Sequence, residues 1–218
     1  MDVWSQISDE RVRLADLLGG LDDRQWATAS LCSGWTVRDM AGHLVMPLAT
    51  PHPVPRFLLD LITAGGSFDR VNRMATARFA VRPTAELVEL LRRHAGSHFV
   101  APTLPPTASL AEILVHGQDI RVPLGVDDAR PVERWTAALG FLLTPAARRG
   151  FVGGRLPALR WLATDAEWSG LSGGEGGALQ GEVSGPASAL ALAIMGRRAR
   201  LGELSGDGVP VLTRWLDR

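Results

Sequence analysis

The chain has 218 residues, 46% of them apolar and 21% charged, which describes a folded globular protein with one substantial core or two modest ones and excludes a disordered chain. Its 23 basic residues, all arginine, balance 23 acidic ones, so a net charge of zero gives no electrostatic case for nucleic acid or an anionic membrane as main partner. The single cysteine, Cys32, excludes an intramolecular disulfide and a cysteine-rich zinc knuckle, and the lack of a basic-then-apolar leader or a long apolar run points to a cytoplasmic protein.

Asp2 is a helix cap, and Val3, Ile7, Leu14, Leu17 and Leu18 give the first helix an apolar face, with Asp9, Glu10, Arg11 and Arg13 opposite and Gly19-Gly20 as the stop. A capping-box-like start at Thr36, with Asp39 three residues on, predicts a second helix running to about Thr50, where Pro51 and Pro53 end it. His43 lies two turns in, beside Met40, Leu44 and Val45, and is either a satisfied core residue or a ligand. A third helix is expected from Pro55 to Phe79, interrupted or split at Gly65-Gly66. Thr84, Leu87, Val88, Leu90 and Leu91 start a fourth, with His94 and His98 at its end among arginines, read as surface residues.

After the Pro-rich run 101–106 comes a helix that carries Glu112 and His116 four residues apart, one turn along the same face. Leu110, Ile113 and Leu114 are its core stripe, which sets the pair at or beside a buried surface. The spacing admits a structural hydrogen-bonded pair or two metal ligands. An Asp127-Asp128 turn and a helix from Pro131 to Leu143 follow. From about Pro145 the texture changes through a Gly-rich link into short strands, Leu159 to Trp168 and Leu179 to Val183, with a turn at 169–177 between them. An apolar helix over Ala187 to Ile194, closing at Gly196, and a final piece from Leu204 to Asp217 complete a small α+β unit. The boundaries expected are 1–148 for a helical bundle and 149–218 for the second unit. Neither a GxGxxG nor a Walker spacing occurs, so no phosphate loop is read here.

His43 from one helix and Glu112 and His116 from another have the residue types of an open divalent-metal site, zinc first, if facing helices of a bundle bring them together. Two histidines and one carboxylate leave a coordination position vacant, the pattern of catalytic and not of structural zinc. Asp119 is spaced either to hydrogen-bond a ligand histidine or to fix the local turn. Cys32, just before a helix, is read as a small packed residue.

The motifs Ser33-Gly34-Trp35-Thr36-Val37-Arg38-Asp39 with His43-Leu44, Gly66 through Asn72, Glu112-x-x-x-His116-Gly117-Gln118-Asp119, and Gly196-Arg197 with Gly206-Asp207-Gly208 resemble, in that order, the mycothiol-dependent maleylpyruvate isomerase family. The resemblance covers nearly the whole chain. It implies an α+β architecture, a DinB-like four-helix bundle followed by a small sterol-carrier-like domain, and metal ligands at His43, Glu112 and His116. It also implies mycothiol as thiol cosubstrate, a small electrophilic or unsaturated substrate, and isomerisation or S-transfer as the reaction, in a monomer or weak homodimer. Arg197, Asn72 and Arg70 are the expected contacts to cosubstrate or substrate, each also readable as an ordinary helix-end or surface polar residue. A metal-containing module that sequesters a small molecule without turnover is the alternative from another class, since fold does not fix function.

Overall fold

The Asp2 carboxylate accepts from the amides of Trp4 and Ser5 and begins α1, Val3–Gly19, at the residue expected. The protein, described from a computed structural model, is seen at residues 1–50, 62–63, 65, 68–101, 103–126, 129–152, 155–173 and 178–218. A short α2, Asp23–Trp26, capped by Asp22, leads to α3, Val37–Ala49, whose Thr36–Asp39 capping box forms as the sequence predicts. Pro47 lies inside α3 without ending it.

The expected helix from Pro55 falls largely outside the described residues. What is described of it is α4, Phe68–Ala80, which starts after Gly65, a residue at φ 63° where a helix cannot continue. Then come α5, Thr84–Arg93, and α6, Pro106–Arg121. The Asp127-Asp128 turn also lies outside the described residues, and α7 spans Val132–Leu142. The link expected at Pro145 is a helix, α8, Pro145–Gly150, because Thr144 caps it and Pro145 occupies its first turn.

Three strands follow: β1 Arg160–Ala163, β2 Ser169–Leu171 and β3 Glu182–Gly185. The strand read from Leu159 to Trp168 is therefore shorter than expected, its second half being a turn at 164–168; the antiparallel edge β2 falls in the segment read as turn, and the next strand starts three residues later than expected. Sheet order is β2-β1-β3, with β1 and β3 parallel. The fold ends with α9, Ala187–Ile194, a 3₁₀ turn, Leu201–Glu203, and α10, Val209–Leu216. The class is α+β, as the sequence implies.

By backbone contact the chain forms two compact units, residues 1–99 with 116–126 and residues 100–115 with 127–218. In the first, α3 packs against α4 and α5, and α1 against α5. The approach of α3 to α4 depends on Gly42, where a Cβ would stand 3.0 Å from the Ala80 amide nitrogen. Arg11, expected on a polar face, is 4% exposed: its guanidinium donates to the Ala95 and Ser97 carbonyls just past α5. That pairing offsets the cost of burying a cation and caps a helix end at once. In the second unit, α9 covers β1 and packs on α7, and the buried Trp161 donates its indole N–H to Ser172 Oγ at 2.9 Å.

Candidate metal centre

The segment before α3 turns tightly between Cys32 and Trp35. The Trp35 amide donates to the Cys32 carbonyl at 3.0 Å, and Gly34, third of the four, has a φ of 78°, the value that position needs in a type II turn. The Ser30 amide donates to the Trp35 carbonyl, which closes the loop. Its two ends serve two helices. Trp35 stands edge-on to His43, ring centroids 5.2 Å apart, and the Leu31 amide donates to the Asp119 carbonyl near the end of α6.

His43, 8% exposed, sits on α3 among Met40, Leu44 and Val45, all buried. On α6, Glu112 and His116 are half-buried one turn apart, flanked by the buried Ile113, Leu114 and Val115. The rings of His43 and His116 are perpendicular, with centroids 5.0 Å apart. One ligand atom from each of His43, Glu112 and His116 lies within 4.8 Å of the others. Nitrogen or oxygen ligands of one tetrahedral zinc, bonded at about 2.0–2.2 Å, lie about 3.3–3.6 Å apart. The three groups are thus close enough to share one ion after side-chain torsions draw them in by roughly an ångström.

The other nitrogen of His116 supports the fit. Nδ1 lies 2.8 Å from Oδ2 of Asp119, a fully buried carboxylate that can only accept while ionised; in the tautomer that donates to it from Nδ1, Nε2 keeps its lone pair for a ligand role. Cys32 Sγ donates to the same Oδ2 at 3.2 Å. Cys32, His116 and Asp119 also offer three ligand atoms within 4.8 Å, but those atoms are joined as protonated donors around one acceptor, whereas metal binding needs deprotonated ligands.

The remaining sequence-predicted residues are placed as follows. Asn72 is half-buried and Arg70 exposed, both on α4, which packs on the helix that carries His43. Arg197 follows α9 in the other unit, its amide donating to Leu192 and its guanidinium to the Met195 carbonyl. The contacts that sequence reasoning missed are those of Cys32 and Trp35. The Ser33-Gly34 pair signals the turn, while nothing local signals that Cys32 meets a residue 87 positions away.

The family model described as the mycothiol maleylpyruvate isomerase N-terminal domain matches residues 7–103. Among solved structures, a histidine-to-alanine mutant of the mycothiol-dependent maleylpyruvate isomerase is similar at a TM-score of 0.54 and 17% identity, over 94% of this chain and 95% of that one. A second structure of the mycothiol-dependent maleylpyruvate isomerase gives 0.49 and 16% over the same shares. The first establishes likeness of fold. None of the curated proteins matches the chain.

Proposed function

We propose, from the match of residues 7–103 to the family model of the mycothiol maleylpyruvate isomerase N-terminal domain, that the chain is a metal-dependent enzyme with mycothiol as thiol cosubstrate, acting on a small unsaturated or electrophilic acid. The observation that carries this reading is the convergence of His43, Glu112 and His116 within 4.8 Å, on the motif positions the family resemblance marks. A divalent metal, zinc first, held by these three would supply a Lewis-acid position that keeps a thiol as thiolate near neutral pH.

The chain's own residues do the positioning. Asp119 holds the His116 proton at Nδ1 and so fixes which nitrogen faces the cluster. Trp35, edge-on to His43, shields that imidazole from water on one side. Arg197, Asn72 and Arg70 are the residues we propose for cosubstrate or substrate contact, Arg197 by paired hydrogen bonds to a carboxylate. With a maleylpyruvate-like acid, addition of the cosubstrate thiolate to the activated double bond leaves a single bond that rotates. Elimination of the same thiolate then yields the trans isomer and regenerates the thiol. With an epoxide or halide the same nucleophile yields a stable conjugate, so S-transfer is the companion reaction.

The test is elemental analysis of purified protein together with turnover of maleylpyruvate and a panel of electrophiles, with and without mycothiol. Stoichiometric metal and thiol-dependent turnover are expected. Metal without turnover would make the protein a sequestering module, and no metal at all would reduce the three residues to a hydrogen-bonded core cluster.

A further inference from the structure

One face of α10 carries Val211, Arg214 and Trp215 at positions i, i+3 and i+4, and Arg218 follows two residues past the helix end. A stripe of two cations and an indole ordinarily faces open solvent on a convex surface. Here it lines a hollow of about 480 Å³, within the range of small-molecule sites, which Arg155 and Gly173 also border. All of these residues belong to the second compact unit.

Two parts of this wall are held in place by hydrogen bonds. The Trp215 indole N–H donates to the Arg155 carbonyl at 3.0 Å, and the Arg155 guanidinium donates through Nη2 to the Gly173 carbonyl at 2.9 Å. Gly173 itself is pinned, since at φ 102° a Cβ would lie 2.4 Å from the Ala158 Cα. Arg155 thus stays oriented with most of its five N–H donors uncommitted. Three arginines border the hollow, and among the described residues no acidic side chain lines it. Asp217, the acid nearest in sequence, pairs with Arg198. In a chain whose net charge is zero, this is a cluster of three arginines on a concave, partly apolar surface.

We infer that this hollow binds a small organic oxyanion with a planar apolar body, its carboxylate or phosphate group taken by Arg155, Arg214 and Arg218 and its plane laid on Trp215. A guanidinium fork matches the geometry of either oxyanion, and an indole face held in one orientation offers a flat apolar surface at low entropic cost. The inference is independent of the metal centre and stands or falls separately from it.

The experiment is calorimetric titration of the full chain at low salt with phthalate and with phenyl phosphate, beside benzamide as a neutral planar probe and inorganic phosphate as an anion without a plane. Phthalate or phenyl phosphate should bind, the tighter of the two identifying the oxyanion, and benzamide should not. In the doubly substituted Arg214→Gln/Arg218→Gln chain the affinity should fall about tenfold or more, the scale of losing one charge-assisted pair. Arg24→Gln, at an exposed site elsewhere, should leave it unchanged, with circular dichroism confirming the fold of each variant. No binding of either planar anion, undiminished binding in the double variant, or inorganic phosphate matching phenyl phosphate would overturn the proposal.

Discussion

Cys32 and Asp119 meet across 87 residues of chain, the thiol donating to Oδ2 at 3.2 Å, and His116 donates to that same oxygen at 2.8 Å. One buried carboxylate oxygen therefore joins the loop before α3 to an imidazole of the candidate metal centre. Asp119→Asn keeps the shape and removes the charge. Metal affinity, measured by competition with a chelator, should drop 10- to 100-fold, the usual effect of losing such an outer partner. Wild-type affinity in this variant would remove Asp119 from the centre.

Cys32→Ser preserves a donor to Asp119, so metal retention and thiol-dependent turnover should stay within a few-fold of the parent chain. Cys32→Ala leaves the carboxylate one donor short and should weaken metal binding measurably more than the serine variant. Complete loss of turnover in Cys32→Ser, with metal still bound, would identify the protein's own sulfur as the nucleophile.

Glu112→Gln and His116→Ala should each release the metal while far-ultraviolet circular dichroism stays nearly unchanged. The buried Leu110, Ile113 and Leu114 hold α6 in place whether or not an ion is bound. A collapse of helical content in both variants would show that these side chains serve the fold first.

Gly42→Ala places a methyl group 3.0 Å from a backbone nitrogen of α4, where no flexible side chain can yield. The helices must part, at a cost of about 1–3 kcal/mol for overpacking. Urea denaturation should show the lower midpoint. An unchanged midpoint would mean that α3 and α4 can separate freely.

The Asp2 carboxyl is held below its ordinary value of 3.8, first by the Ser5 hydroxyl and then by the Ser5 amide. A lowered folded-state value means that the cap contributes fully above pH 3.8 and loses its contribution as the pH falls through the lower folded value. Amide exchange at Trp4 and Ser5 should accelerate in that acidic window ahead of the rest of α1. Uniform acceleration along the helix would rule out a local cap effect.

The legible parts of this protein were those whose causes are local in the chain. Thr36 and Asp39 form their capping box from residues three apart, and Glu112 and His116 share a helix face by spacing alone. Helix α9 was legible to the residue because a proline precedes it and a glycine follows. What the sequence hid depends on distant partners. Arg11 looks like a surface residue until the carbonyls of Ala95 and Ser97 are brought to it, and Cys32 looks inert until Asp119 arrives. The strands were misjudged because runs of three or four residues are too short for alternation to show, and their limits come from pairing partners. Helix α3 passes through Pro47, as the expected run to about Thr50 requires, since the packing of that helix outweighs one lost hydrogen bond.

The turn from Cys32 to Trp35 touches one imidazole directly, through Trp35, and the other at one remove, through Asp119. Two side chains on separate helices are thereby gauged from one four-residue piece of backbone, so their orientations are not independent variables. A change at Gly34 that swings this turn has to rotate both rings together. The centre consequently has fewer degrees of freedom than its residues suggest, and its geometry can drift in a lineage as a unit, by way of a loop that contributes no ligand to it.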